Sequence, residues 1–331
     1  MESIVQLYET SPEVVSSMVT FTLEGEQGLD MDGLKREVYS TFWERAFEKF
    51  FEGKSTFVPR IGPDIQDNHY QAIGRVFSHC YLLTGIFPTA ISKVFATALL
   101  VGKNALSADD YISGFLEHVF QYDRMRLESA LAKSSLIDVF PNETAEFLCE
   151  FLSEYGVVQN PTPASLKQIL ANVAKTELIA KPSVAITEIR TGMLAGSCKE
   201  LWGDFRKEDV DELYDRMKLT TSKLLGMIQV DEMVLTKPQS QVLQFLKQYI
   251  RSLSPKELQL FLRYVTGSCL PVVKNVKVVF HTHAGTVPMV FIHTCSAIID
   301  LPDGGYTGYT DFRVQMANTL LSPESWRFTS L

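Results

Sequence analysis

The chain has 331 residues, with 31 Lys+Arg against 39 Asp+Glu for a net charge of −8, and 46% of it is hydrophobic. This is a folded globular composition with ample apolar material for one large domain or two smaller ones, which excludes disordered and fibrous classes. An acidic chain without a run of five Lys/Arg repels a phosphate backbone, so nucleic acid is not an expected partner.

The start, Met1-Glu2-Ser3-Ile4, has neither the basic nor the apolar part of a signal peptide, and a cytoplasmic or nuclear location is expected. In chain order the patterns predict a strand over 18–23, then an amphipathic helix over 34–50. In that helix Leu34, Val38, Phe42, Ala46 and Phe50 recur every fourth residue, while Lys35, Arg36, Glu44 and Lys49 fill the other faces. Helices follow over 70–83 and 90–100. The apolar window between Tyr81 and Gly102 is interrupted by Gly85, Pro88 and Lys93, so it reads as two buried helices and no membrane partner is expected. Further helices are predicted over 108–120 after the capping Ser107, over 145–155 before Gly156, and over 164–180, 210–217, 239–252 and 255–265. Strands are predicted over 273–282 and 289–294.

Residues 236–331 carry a balance of +4, which leaves −12 for residues 1–235. The stretch Gln229-Val230-Asp231-Glu232, followed by Thr236-Lys237-Pro238, interrupts the helical pattern and is the expected linker between domains 1–232 and 236–331.

Several chemistries fail on spacing. There is no G-x-S-x-G, and Gly102-Lys103 lacks the upstream glycine of a phosphate loop. His281-Thr282-His283 puts two imidazoles on one face of a strand without a third ligand at zinc spacing, so no metal and no cofactor is expected. Asn142-Glu143-Thr144 matches a glycosylation sequon but reads as a helix cap at Asn142. Five cysteines with no C-x-x-C pair read as free thiols. Cys80 and Cys149 sit in apolar helical patterns and are expected to be buried and inert, whereas Cys198 and Cys269 are candidates for exposure. Cys295 follows His293-Thr294 at the end of an apolar strand, and if the strand persists to residue 295 the imidazole and the thiol share a face. By spacing alone, a nucleophile and a surface thiol without function both remain open.

The run Leu260-Phe261-Leu262-Arg263-Tyr264-Val265-Thr266-Gly267-Ser268, then His293-Thr294-Cys295, then Ile299-Asp300-Leu301-Pro302 resembles the C-terminal lobe of a HECT-type ubiquitin ligase. Upstream, Phe21-Thr22-Leu23-Glu24-Gly25-Glu26-Gln27-Gly28-Leu29-Asp30-Met31-Asp32-Gly33-Leu34-Lys35-Arg36-Glu37 is similar to the family's opening strand, turn and first long helix, and Tyr70-Gln71-Ala72-Ile73-Gly74-Arg75-Val76 with the later Gly85-Ile86-Phe87-Pro88 to its second signature. The resemblance implies an α+β, bilobal HECT-like fold, with a mostly helical N-lobe and a smaller α/β C-lobe joined by a short hinge. It implies that Cys295 takes ubiquitin from an E2 conjugating enzyme as a thioester and passes it to a lysine of a protein substrate. His293, Thr294 and Asp300 would support that site, as would Phe328, fourth from the end. Lys175-Thr176-Glu177-Leu178-Ile179-Ala180-Lys181-Pro182-Ser183 is similar to the diverged branch that includes the G2/M-phase-specific ligase. Where many members carry Phe-Asn after the cysteine, this chain has Ser296-Ala297. That departure keeps a second reading open, a HECT-like pseudo-ligase that binds ubiquitin or partners without forming a thioester.

Overall fold

The computed structural model describes residues 2–22, 32–230, 234–283 and 288–321. In chain order its elements are α1 (Glu2–Thr10), α2 (Gly33–Phe50), β1 (Phe51–Gly53), β2 (Phe57–Pro59), α3 (Asp67–Thr84), α4 (Lys93–Leu100), α5 (Ala108–His118), α6 (Gln121–Lys133), α7 (Asn142–Ser153), α8 (Pro163–Lys175) and α9 (Ser183–Met193). They continue with α10 (Lys199–Trp202), α11 (Lys207–Met217), α12 (Thr221–Met227), β3 (Ile228–Val230), α13 (Lys237–Ser252), α14 (Pro255–Thr266), β4 (Val276–His281), β5 (Phe291–His293), β6 (Ile298–Pro302) and α15 (Tyr309–Leu321). The fold is α+β. Among the described residues, no helix is long and apolar enough to cross a membrane.

Local chemistry fixes several helix starts. Ser107 with Asp110, Thr162 with Ser165, Thr236 with Gln239 and Ser254 with Glu257 form reciprocal capping boxes, which satisfy amides that a helix leaves unpaired at its first turn. Proline follows in the first turn of α8, α13 and α14, where its missing N–H costs nothing.

The chain divides into two compact units, residues 1–17, 43–79 and 88–214 in the first, and residues 18–42, 80–87 and 215–331 in the second. The first is helical apart from the β1–β2 hairpin. In α4, every residue from Val94 to Leu100 is buried, which makes it a central element rather than an amphipathic one. One buried polar chain inside this unit is paired end to end: the Trp202 indole donates to the Ser78 hydroxyl at 2.8 Å, and that hydroxyl donates to the Met193 carbonyl at 2.9 Å.

The second unit holds a four-stranded sheet in the order β3-β4-β6-β5. Its β3–β4 and β4–β6 pairs are parallel and β5–β6 is antiparallel. Side chains alternate, so Val276, Val278, Ile299 and Leu301 enter a core shared with Leu246 and Ile250 of α13, Phe261, Leu262 and Val265 of α14, and Phe312 of α15. The opposite sheet face carries His281, Asp300, Phe291 and His293.

Some expectations are corrected. Residues 18–22 form no strand, and Leu23 lies outside the described residues. Asn142 does not cap its helix but is the first residue of α7; Pro141, with no side-chain bond to offer, holds the cap position. Gln229 and Val230, expected in a linker, belong to β3, whose register pairs them with Lys277 and Val278. The helix expected to reach Ala180 ends at Lys175 and passes into a wide π turn over Thr176–Ala180, ahead of Pro182, whose ring would clash with an α-helical preceding turn. Cys198 is buried, because its turn packs on the 3-10 turn Pro12–Ser16, while Cys149 is only half-buried. Burial raises the Cys198 thiol above its ordinary pKa.

His79 is completely buried in the first unit. A carbonyl can only accept, so the 2.9 Å contact to Ser17 O places a hydrogen on Nε2, and in the neutral ring Nδ1 accepts from Tyr8 O–H at 2.7 Å. Burial lowers the pKa of His79 and likewise that of His118. A depressed native pKa means that the unfolded chain binds protons first as pH falls. Stability should therefore be full above pH about 6.5 and decline below it. Thermal melts between pH 7.5 and 5.5 should show this loss, and His79→Gln should have a shallower slope than the native chain.

Candidate functional site

The β5–β6 hairpin presents Cys295 on its connecting loop. Strand β5 ends at His293, Thr294–Ser296 makes one 3-10 turn, and Ala297 closes it in the left-handed region at φ 52°, ψ 48°. A tight turn closed by one left-handed residue is a common way to join antiparallel strands. The loop is fastened on three sides: Ala297 N–H donates to Thr294 O at 3.3 Å, Lys277 N–H donates to Ala297 O at 2.9 Å, and the Thr294 hydroxyl donates to Tyr264 O at 3.0 Å. Cys295 is half-buried on this loop, Ser296 is exposed and Ala297 is buried.

Because β5 stops at His293, the period-two argument that set His293 and Cys295 on one face loses its premise. His293 points along the outer sheet face, where its Nε2 lies 4.0 Å from Asp300 Oδ2. The other Asp300 oxygen accepts from His281 Nδ1–H at 2.8 Å, and the His281 ring packs on Phe291 with centroids 5.2 Å apart. Asp300 is thus a carboxylate between two imidazoles on a strand. His283 lies past the end of β4, and its backbone N–H donates to Asp303 Oδ1 at 2.9 Å, so the two histidines of His281-Thr282-His283 take separate partners. Among the described residues, no group of three or more His, Cys, Asp or Glu is arranged to hold a metal ion. Phe328 lies outside the described residues.

The sequence reading missed the surroundings of the loop. The first turns of α2, within the same unit, lie directly against it. A Cβ placed on Gly33 would fall 2.5 Å from Cys295 Cα and 2.8 Å from Cys295 N, closer than carbon atoms pack. Arg36, which the periodicity put off the apolar face of the helix, is buried with only 8% of its surface exposed. Its Nε–H donates to Thr266 O at 2.5 Å, and Nη2 reaches Thr294 O at 3.4 Å and Cys295 O at 3.5 Å. Glu37 receives the Arg263 guanidinium on both oxygens, with Nη2–Oε1 at 2.6 Å and Nε–Oε2 at 3.1 Å. Ser40 Oγ–H donates to Gly267 O at 3.1 Å. Gly267 ends α14 at φ 79°, and a Cβ there would fall 2.5 Å from Gly33 O; glycine is required by both the dihedral and the approach. One signal was available in the sequence. Gly33, Arg36, Glu37 and Ser40 follow helical spacing and form a single polar stripe.

A family model described as HECT-domain (ubiquitin-transferase) matches residues 34–320. No curated protein matches the chain.

The backbone at Ala297 is one that L-residues other than Asn and Asp seldom adopt, at a cost of about 1–2 kcal/mol. Glycine removes that strain and gives back about 0.5–1 kcal/mol in chain entropy. Ala297→Gly should therefore hold or slightly raise the melting temperature. Ala297→Val, β-branched at positive φ, should lower it by several degrees in the same thermal melt.

Proposed function

Since the chain belongs to the HECT-domain (ubiquitin-transferase) family, we propose that it is an E3 ubiquitin-protein transferase that carries ubiquitin on Cys295. The observation that carries this reading is the presentation of Cys295 on a fastened, half-exposed hairpin turn inside the matched region, while Cys80 and Cys198 are buried in their units. Its partners would be an E2 conjugating enzyme, ubiquitin and a protein substrate, in the cytoplasm or nucleus. Within the family, the stretch from Lys175 to Ser183 favours the branch that includes the G2/M-phase-specific ligase.

The chemistry follows from the thiol. In the first step Cys295 Sγ attacks the carbonyl carbon of the ubiquitin thioester on the conjugating enzyme. The new Sγ–C bond replaces the old S–C bond, and the departing thiolate takes up the proton that Cys295 gave up. One thioester replaces another, so the step needs alignment more than driving force. In the second step a substrate lysine amine attacks, the N–C bond forms as the Sγ–C bond breaks, and a proton from the amine returns to the Cys295 thiolate. Each tetrahedral intermediate carries an oxyanion that backbone amides can stabilise. Asp300, with His281 and His293 beside it, is the candidate to orient the amine or take its proton. The Thr294 hydroxyl is spent on Tyr264 O, which suits it to holding the loop. Phe328 would act by docking the tail.

The lobes at 1–232 and 236–331 would be joined by a hinge over 231–236, which allows Cys295 to travel between conjugating enzyme and substrate. Val234 is 84% exposed, so proline there stiffens the segment without disturbing a packed side chain. Val234→Pro should slow ubiquitin transfer to substrate by more than its effect on the melting temperature predicts; an unaltered transfer rate would remove the hinge from the scheme.

Incubation with activating enzyme, a panel of conjugating enzymes, ubiquitin and ATP should give a reductant-sensitive adduct on a non-reducing gel. It should vanish in Cys295→Ala and persist in Cys149→Ala and Cys269→Ala. Ubiquitin binding without any adduct would instead support the pseudo-ligase reading, which Ser296-Ala297 favour.

A further inference from the structure

We propose that Arg36 is a positioning residue for Cys295, and that the stripe Gly33–Arg36–Glu37–Ser40 is the seat on which the nucleophile loop is set for transfer. This inference rests on the transferase reading and adds to it the residues that aim the thiol. The argument starts from peptide geometry. A peptide unit is planar, so the direction of the Cys295 Cα–Cβ bond is set by the two units that flank it and the soft torsions between them. The carbonyls of those two units, Thr294 O and Cys295 O, both face one nitrogen of the Arg36 guanidinium at 3.4 and 3.5 Å. With both units facing one rigid group, the direction of the Cα–Cβ bond is biased by Arg36, and χ1 then places the thiol.

The guanidinium is itself fixed. Its Nε–H is held at 2.5 Å by Thr266 O, the last carbonyl of α14. The body of α14 is locked to α2 by the two-pronged Glu37–Arg263 pair, in which both side chains are four-fifths buried or more. Arg263 also reaches Thr41 Oγ1 at 3.0 Å. Gly33 lets the Cys295 backbone come down onto the helix, and Gly267 does the same for the α14 terminus. A lysine at 36 would keep the charge but lose the planar fork that serves α14 and the loop together.

The test separates aim from affinity and from folding. Thioester formation on Cys295 is measured in single turnover against increasing charged conjugating enzyme, for the native chain, Arg36→Met, Arg36→Lys, Gly33→Ala, Glu37→Arg, Arg263→Glu and the Glu37→Arg/Arg263→Glu double variant. Discharge of the isolated thioester to lysine is followed in parallel. Arg36→Met, Arg36→Lys and Gly33→Ala should lower the maximal rate of loading or discharge by about tenfold or more, with the half-saturating concentration of conjugating enzyme unchanged, because misplacement of a reacting atom by about 1 Å is enough for such a loss. The two charge reversals should be slow singly, and the double variant should recover to within about threefold of native, as contacting residues do when their pairing is restored. That recovery tests the clamp between α2 and α14 that fixes Arg36, while Arg36→Lys, which keeps the buried charge, tests the guanidinium fork even if Arg36→Met unfolds. Native-like maximal rates in the Arg36 and Gly33 variants, or failure of the exchanged pair to recover, would overturn the proposal and leave the transferase reading standing. Absence of any thioester in the native chain would overturn that reading, and the seat's role with it.

Discussion

The buried guanidinium of Arg36 organises the second unit. Arg36 is surrounded by carbonyl oxygens, and those oxygens come from two places that a chain has no local reason to bring together: the last turn of α14 and the loop between β5 and β6. A helix leaves its last carbonyls unpaired and negatively polarised, so a guanidinium at the end of α14 is favoured by both hydrogen bonding and the helix dipole. A buried charge is costly unless its donors are used. Here the oxygens that repay the cost include the two that bracket Cys295, so the stability of the unit and the conformation of its thiol are one electrostatic problem.

Much of the architecture was legible because it depends on local signals. The cap at Ser107 marks a helix start without reference to tertiary structure; the boxes at Thr236 and Ser254 and the left-handed glycine after α14 are signals of the same local kind that went unread. The long α2 was read from its four-residue apolar repeat. The failures share a cause. α6 buries only Leu127 and Ala130, too few to show a period. β1, β2 and β3 have three residues each, too short for alternation to register. Arg36 was misplaced because a hydropathy pattern assigns a charged residue to water, whereas its partners are backbone carbonyls more than 200 positions away. Cys295 was legible as a motif and not as a geometry, since where β5 ends is a property of the hairpin turn.

The departure after the cysteine gains a physical meaning from the turn. Position 297 is left-handed, and asparagine is among the few L-residues that take this conformation readily. Replacement of Asn by Ala at such a position costs backbone strain as well as a side-chain amide. The fastening of Ala297 through its own N–H and C=O shows how the loop keeps this conformation: neighbouring strands over-determine it. The altered dipeptide is thus compatible with a formed turn, and the question it raises is one of rate.

Strand β3 gives the second unit an unusual mechanical property. Only three residues pair it to β4, and the segment over 231–236 leaves directly from its end. Tension arriving through that segment acts on a parallel ladder from one end. Each hydrogen bond of that ladder is worth about 0.5–1.5 kcal/mol net, so three paired residues make a weak attachment. The neighbour of β3 is β4, which pairs on its other edge with β6, the strand that leaves the Cys295 loop. Under the proposed hinge, β4, β6 and the loop between β5 and β6 would move as one piece, and the thiol would travel only after the Arg36 contacts to Thr294 O and Cys295 O open along with the short β3 ladder.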